Sequence, residues 1–272
     1  MDDIIRTEPV AVFHTGDLVG DGANRADWDK FNEITAKLRE TTKFYPALGN
    51  HDLPPQIFLE NFDLPNNERW YSVEIDDIHF IVLDSNSSTS EGSEQYRWLE
   101  TDLQNARDKA RFVVAIFHHP PFSTGPHVED EKGLRQTLVP LFEEYGVDIV
   151  FSGHDHDYER SLVNGIYYVV TGGGGAPLYD QARTSSWSQK FVKAYHFCTL
   201  SVNNNQLTTS VFDINLKLID QFTVSAKSKS FGHRVGSSFV SIDLVFGWYH
   251  SEIANYLDCR LLSSANYHNA SR

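Results

Sequence analysis

An α/β fold built in layers is predicted by two patterns along the chain. Short apolar runs alternate with helix-type patterns over roughly the first 150 residues, which is typical of strands and helices that pack in separate layers. Strand patterns dominate the second half, which indicates a second sheet packed on the first. With 272 residues, of which 40% are hydrophobic, the chain can bury a core of this kind.

The individual elements follow from apolar spacing and from turn residues. Trp28, Phe31, Ile34 and Leu38 recur at helical spacing, whereas the dense apolar runs that end at polar residues are typical of buried strands. The predicted strands are 10–13, 44–48, 70–83 (a hairpin with its turn at 76–77), 112–117, 147–151, 166–170, 195–202 and 207–224, and the predicted helices are 28–41, 94–110 and 134–145.

Charge and hydropathy exclude several classes of protein. The formal net charge is −14 and the sequence pI is about 5.2, so the surface repels nucleic acids and we expect no nucleic-acid-binding face. No apolar run reaches the roughly 18 residues of a membrane-spanning helix, and we expect none. Residues 1–8 are charged and lack the apolar stretch of a signal peptide, while compartment and oligomeric state are left open.

Polar residues of metal-binding type follow four of the predicted strands. Ligand groups in α/β sheets gather beyond the carboxyl ends of the strands, so residues far apart in sequence can converge there. A carboxylate can bridge two cations, an amide offers a neutral oxygen, and imidazoles suit transition metals. The four junctions are Gly16-Asp17, Gly49-Asn50-His51-Asp52, His118-His119-Pro120 and Gly153-His154-Asp155-His156.

Each junction by itself also has a purely structural explanation. A Gly-Asp pair is a common turn, and Asn and Asp favour turns for local reasons. It is the occurrence of all four in order, each after a buried strand, that favours a metal centre.

This ordered set resembles the calcineurin-like metallophosphoesterase superfamily, to which purple acid phosphatases belong. The segments 121–127 and 172–179 are similar to the purple-acid-phosphatase-like branch. The resemblance implies a four-layer αββα sandwich, with a catalytic domain over 1–225 and a C-terminal extension, 226–272, to which we assign no role. It also implies a small-molecule phosphate ester as substrate and a centre of two metal ions, for which Mn, Zn and Fe are all compatible.

The resemblance further implies roles for single residues. His51 is the general acid that protonates the leaving group, Asp52 orients His51, and His127 is a candidate contact of the substrate phosphate. His119 is expected to be a structural neighbour. The metal ligands are Asp17, which bridges the two ions, Asn50, His118 and His154 at the second ion, and His156 at the first.

Two departures from the family pattern affect these expectations. The family begins with an Asp-x-His motif on its first strand, and no such motif precedes Asp17. We therefore expect that the first strand is missing, that the chain begins inside the following helix, and that the first metal site keeps only Asp17 and His156. Purple acid phosphatases also carry a ligating Tyr three residues after the bridging Asp. Gly20 stands there, so we expect no tyrosinate colour.

The working hypothesis is metal-dependent hydrolysis of a phosphomonoester by a metal-bridging hydroxide, with His51 as the general acid. One alternative is an inactive remnant or binding module with a single metal, favoured by the missing Asp-x-His motif. A further alternative is a nucleotide phosphodiesterase, which would use the same centre.

Overall fold

The structure, a computed structural model, describes residues 2–106, 109–203, 205–226 and 240–244 and confirms the α/β prediction. Six helices and thirteen strands are formed in these ranges. The helices are α1 (Asp2–Arg6), α2 (Arg25–Arg39), α3 (Gln56–Asn61), α4 (Glu94–Ala106), α5 (Leu134–Thr137) and α6 (Val139–Tyr145). The strands are β1 (Ala11–His14), β2 (Lys43–Pro46), β3 (Tyr71–Ile75), β4 (Ile78–Val82), β5 (Phe112–Ile116), β6 (Ile149–Ser152), β7 (Tyr158–Val163), β8 (Ile166–Thr171), β9 (Ser188–Val192), β10 (His196–Asn203), β11 (Gln206–Asp213), β12 (Leu218–Ser225) and β13 (Val240–Leu244).

The strands form two mixed sheets. The six-stranded sheet has the order β12-β11-β10-β13-β1-β2, in which β1 is parallel to both β2 and β13. The seven-stranded sheet has the order β3-β4-β5-β6-β8-β7-β9, with a parallel centre from β4 to β8. The carboxyl ends of β1 and β2 therefore share one edge, as do those of β5 and β6.

The two sheets pack face to face through apolar and aromatic side chains. Phe13 of β1 stacks on Phe80 of β4, with ring centroids 4.3 Å apart. Tyr167 of β8 meets Phe222 of β12 at 4.5 Å, and the Tyr71 hydroxyl donates to the Pro46 carbonyl oxygen at 2.8 Å. This interface is the main core of the protein.

Helices cover the outer face of each sheet. Buried Leu99 and Leu103 of α4 and Phe142 of α6 join the apolar cluster on the seven-stranded sheet. Ile4 of α1 and Leu38 of α2 pack with the outer face of the six-stranded sheet. The resulting αββα order of layers confirms the sandwich fold.

One predicted helix is interrupted. A helix was expected over 134–145, but α5 ends at Thr137 and α6 begins at Val139. Pro140 has no N–H to donate to the turn before it, so the helical hydrogen-bond ladder breaks there. The start of α2 lies before the predicted residue 28, because the Asn24 side chain accepts the Ala26 N–H and begins the helix earlier.

Part of the C-terminal extension lies within a sheet. Residues 240–244 form β13, which pairs in parallel with β1 (Val12 opposite Asp243) and antiparallel with β10 (Cys198 opposite Leu244). The expectation that the first strand is missing stays a prediction, and the place between β1 and β10 is taken by residues 240–244. The division at residue 225 stays a prediction.

Over the described ranges, no helix combines the length and apolar character that a bilayer crossing requires.

Candidate metal centre

Four predicted ligand side chains meet where the carboxyl edges of the two sheets come together. Asp17 and Asn50 follow β1 and β2, whereas His118 and His154 follow β5 and β6. His118 Nε2 lies 3.1 Å from Asp17 Oδ2 and 2.9 Å from Asn50 Oδ1. His154 Nδ1 lies 3.2 Å from the same nitrogen of His118. Asp17, Asn50 and His154 thus each place one potential ligand atom within 2.9–3.2 Å of His118 Nε2.

The chemistry of these atoms fits a cation. The Nδ1–H of His118 donates to the Thr15 carbonyl oxygen at 2.8 Å, so Nε2 of the neutral ring carries a lone pair. This lone pair faces oxygen atoms of Asp17 and Asn50, and such a group of acceptors is stable only with a proton or a cation among them. Ligand atoms of a tetrahedral zinc site lie roughly 3.3 Å apart, close to the observed spacings. One carboxylate, one amide oxygen and two imidazoles suit Mn, Zn or Fe.

Two of these residues occupy unusual backbone conformations. Asp17 has φ of 56° and His154 has φ of 68°, a region that residues other than glycine rarely adopt. A Cβ on Gly49 would lie 2.1 Å from the backbone nitrogen of Asp17, so glycine is needed where the two loops touch. Strained conformations of this kind persist where the surrounding structure enforces them, and they cluster at functional sites.

Asp52 ties together the loops that carry Asp17 and Asn50. We expected Asp52 to orient His51, but its fully buried carboxylate makes its hydrogen bonds to backbone N–H groups instead. This is a correction with a simple cause, since a buried carboxylate is stabilised by several N–H donors. The donors are the N–H groups of Asp17 (2.9 Å), Leu18 (2.7 Å), Val19 (3.2 Å) and Gly49 (2.8 Å).

The charges of the site favour cation binding. Burial raises the pKa of the Asp17 carboxyl, but when His118 Nε2 carries a proton in place of a cation, the charge and hydrogen bond of His118 outweigh burial and hold the pKa well below its usual range. Burial lowers the pKa of His118, but Asp17 outweighs burial and raises it, so a cation would displace this proton. Burial, together with the neighbouring His118 and His127, lowers the pKa of His154 to about 4. Near neutral pH, Asp17 is therefore ionised and His154 is neutral, which are the forms that bind metals.

His156 is anchored separately from the other ligands. Its Nδ1–H donates to the Pro177 carbonyl oxygen at 3.0 Å, and its ring stacks on Tyr179 with centroids 4.2 Å apart. Within the described ranges, the group of His, Cys, Asp or Glu side chains with ligand atoms within 4.8 Å of one another is His118, His119 and His154, which leaves out both Asp17 and His156 and includes His119. The assignment of His156 to a first metal therefore stays a prediction.

His51 lies beside Asp17 at an exposed position. Its backbone N–H donates to Asp17 Oδ1 at 2.8 Å, and its Nδ1–H donates to the Gly20 carbonyl oxygen at 3.0 Å. The Gly20 contact fixes the tautomer, so proton exchange with a substrate would take place at Nε2. Gly20, and not Asp52, thus makes the hydrogen bond that orients the ring.

His127 lies directly against His154. The two rings stack with centroids 4.0 Å apart, and His127 Nδ1 is 2.7 Å from Asp155 Oδ1. This hydrogen bond raises the pKa of His127 despite partial burial, which favours the cationic form. The structure thus brings His127 to the centre, while its contact with a phosphate stays a prediction.

Sequence reasoning missed two carboxylates near the centre, Asp155 and Glu131. Asp155 accepts hydrogen bonds from Ser123 and His127. Its position between two candidate ligands in Gly-His-Asp-His was a signal that could have identified it. Glu131 lies next to His119 and His154, and no local pattern pointed to it because the contact joins a loop to a distant strand end.

Known proteins resemble this chain in sequence and in fold. A family profile described as calcineurin-like phosphoesterase matches residues 1–158, more than half of the chain. Purple acid phosphatase 18 of Arabidopsis thaliana is 30% identical over 162 residues, which cover 54% of this chain and 37% of that protein. "Probable inactive purple acid phosphatase 1" of the same plant is 27% identical over 271 residues, covering 82% of this chain and 44% of that protein.

A solved structure agrees with these matches. A purple acid phosphatase from seeds of yellow lupin (Lupinus luteus) superposes with a TM-score of 0.73 and 25% identity, covering 82% of this chain and 48% of the lupin chain. This chain thus spans less than half the length of each of these three relatives. The family profile and the relatives together place the chain in the calcineurin-like phosphoesterase family, in its purple-acid-phosphatase-like branch.

Proposed function

We propose that this chain hydrolyses phosphate esters, as a phosphomonoesterase of the acid-phosphatase type. The observation that carries the proposal is the convergence of Asp17, Asn50, His118 and His154, with ligand atoms 2.9–3.2 Å from His118 Nε2. Cations held there would polarise the phosphoryl oxygens and supply a nucleophilic water at neutral pH.

The residues around the cluster would bind and orient the ester. The protein carries a net charge of −14, which repels a phosphate, so local positive charge is required at the site. His127, with its pKa raised by the hydrogen bond to Asp155, supplies such a charge beside His154. We assign it to the non-bridging oxygens of the phosphate.

His51 is the general acid in this proposal. With Nδ1–H committed to Gly20, the ring would deliver a proton from Nε2 to the leaving alkoxide. We expect His51→Ala to lower turnover of esters with poor leaving groups by roughly 10²–10⁴-fold. Esters of an acidic phenol, such as p-nitrophenyl phosphate, need less protonation of the leaving group. The turnover of these esters should therefore fall much less in His51→Ala. Equal losses for the two kinds of ester would rule out His51 as the acid.

Asp17 is the residue on which cation binding depends most. Asp17→Asn keeps the shape of the side chain but removes its charge, so we expect loss of bound metal together with loss of turnover. Asp63→Asn, an exposed change of the same kind, is the matched control and should retain both. Metal content is measured by mass spectrometry after purification with Mn, Zn and Fe supplied. Full occupancy in Asp17→Asn would contradict the assignment.

A protein that binds a single cation without turnover is the second candidate. The observation that favours it is that His156 lies outside the group of ligand atoms within 4.8 Å of one another in the described ranges. Near two equivalents of metal per chain with turnover would support the phosphatase. One equivalent or fewer without turnover would support the binding module.

The type of ester is tested by substrate. Monoesters and nucleotide diesters, assayed side by side on the same metal-loaded protein, distinguish a phosphomonoesterase from a nucleotide phosphodiesterase. Faster hydrolysis of the diester would replace the phosphomonoesterase assignment.

A further inference from the structure

The Glu131 carboxylate lies between two buried histidines. Its Oε1 is 3.3 Å from His119 Nε2, and its Oε2 is 3.5 Å from His154 Nε2. Both Nε2 atoms are enclosed, and neither makes a hydrogen bond of ordinary geometry, so the Glu131 carboxylate is an acceptor within 3.5 Å of two buried polar atoms that lack a partner. The Lys132 ammonium also lies 3.2 Å from Oε1.

The opposite side of each ring indicates which nitrogen carries the proton. His154 Nδ1 points into the ligand cluster, 3.2 Å from His118 Nε2, and must lack a proton to bind a cation. The proton of the neutral ring then resides on Nε2 and faces Glu131. His119 Nδ1 lies 2.8 Å from the Ser85 hydroxyl, and when this hydroxyl donates to Nδ1 the His119 proton also resides on Nε2.

The loop that presents Glu131 is fixed from both sides. Arg135 Nε donates to the Pro121 carbonyl oxygen at 2.6 Å, and the Asp130 carboxylate accepts the Arg135 N–H at 3.2 Å. Arg135 also pairs with Glu129. Glu131 is therefore held at this place by its neighbours in the loop, independently of the histidines.

We propose that Glu131 is a positioning residue, whose carboxylate accepts Nε2–H from His154 and His119 and so directs the Nδ1 lone pair of His154 at the cation. A metal-binding histidine needs an acceptor at its other nitrogen to fix the tautomer and ring orientation. The inference rests on the cation site of the proposed function and adds the residue that orders one of its ligands.

The test compares Glu131→Gln with Glu129→Gln, a change of the same type in the same loop that faces Arg135 instead of the histidines. A glutamine offers one acceptor where the carboxylate offers two. The Zn²⁺ and Mn²⁺ dissociation constants, measured by calorimetry, should rise about 10–100-fold in Glu131→Gln and change less than twofold in Glu129→Gln. Unchanged affinity in Glu131→Gln, with its fold intact by circular dichroism, would overturn the proposal.

A second readout needs neither a metal nor a substrate. Ring ¹⁵N spectra of the metal-free protein should give His154 as the Nε2–H tautomer, with the proton redistributed between the two nitrogens in Glu131→Gln. A wild-type Nδ1–H tautomer would overturn the proposal.

The metal content of His119→Ala is a third test. The loss of one complete metal equivalent, with the other bound metal unaffected, would also overturn the proposal, because His119, Glu131 and His154 would then form a cation site of their own. A protein whose cation affinity depends on Glu131 as expected but that hydrolyses no ester would contradict the proposed function alone.

Discussion

At the scale of single residues, the candidate centre depends on backbone positions that few side chains tolerate. Asp17 and His154 both have positive φ, and each directs its side chain into the same cluster. The Asp52 carboxylate holds this arrangement through backbone N–H groups of the loops after β1 and β2. The ligand geometry is thus maintained by groups that do not themselves touch a cation.

Gly49 provides the test at this scale. A Cβ there would lie 2.1 Å from Asp17 N and 2.2 Å from Asp17 Oδ1, so Gly49→Ala must push the two loops apart. We expect metal affinity to fall at least roughly 10-fold, as for a displaced ligand support. Calorimetric titration with Zn²⁺ gives the measurement.

Gly165→Ala is the control for that change. Gly165 has φ of 86° but open space around it, so alanine should cost about 1–2 kcal/mol of stability without affecting metal binding. Equal metal affinity in the two variants would mean that the contact between the loops does not control the site.

At the scale of elements, His79 links strand β4 to the neighbouring strand β3 and to helix α4. His79 lies on β4, with Nδ1 2.6 Å from Glu74 on β3 and Nε2 2.7 Å from Asp102 on α4. Burial lowers the pKa of His79, but Asp102 and Glu74 outweigh burial and raise it. The protonated ring therefore joins the hairpin to the helix that covers it.

This connection predicts a pH dependence of stability. Because the pKa is raised in the folded state, the contribution of His79 is present in full below its unfolded pKa of about 6.5 and is lost as the pH rises through the folded pKa. We expect His79→Gln to cost about 1–2 kcal/mol at pH 6 and clearly less at pH 9. The measurement is the urea midpoint of both proteins across this range.

Substitutions of the two carboxylate partners of His79 should affect the pH dependence of stability to different extents. Asp102 is mostly buried and Glu74 is mostly exposed, so Asp102→Asn should reproduce the pH dependence and Glu74→Gln should do little. A cost of His79→Gln that stays constant from pH 6 to 9 would contradict the assigned charge.

At the scale of the whole molecule, one internal strand of the six-stranded sheet, β13, comes from a segment near the C-terminus. β13 lies between β1 and β10. Without it, β1 and β10 would expose unpaired backbone groups in the middle of the sheet. β1 leads directly into Asp17, so this pairing supports the candidate centre as well.

Two shortened chains test this pairing. A chain ending at residue 244 keeps β13, and a chain ending at residue 226 lacks it. We expect the shorter chain to melt at least roughly 4–8 °C lower, as for a loss of about 2 kcal/mol. Amides of β1 and β10 should also exchange faster with solvent in the shorter chain. Identical melting and exchange would contradict a structural role for β13.

Local sequence patterns determined most of the architecture and the candidate ligands. Apolar spacing identified α2, α4 and the strands except β7, β9 and β13, because burial of one face or both imposes a period on the sequence. Asp17, Asn50, His118 and His154 could be selected because each follows a buried strand, and parallel strands bring such ends to one edge. Their convergence is therefore a consequence of the order of elements along the chain.

Only the tertiary structure decided which distant groups meet. The contacts of Asp52 with the loop of Asp17, of Glu131 with His119 and His154, and of β13 with β1 join segments that carry no local signal for one another. When the layers pack, some backbone N–H and C=O groups remain without a hydrogen-bond partner. A buried carboxylate or an added strand can pair only with those groups. This choice depends on the whole fold, which is why the sequence predicted the ligands of the candidate centre but not the residues that hold them in place.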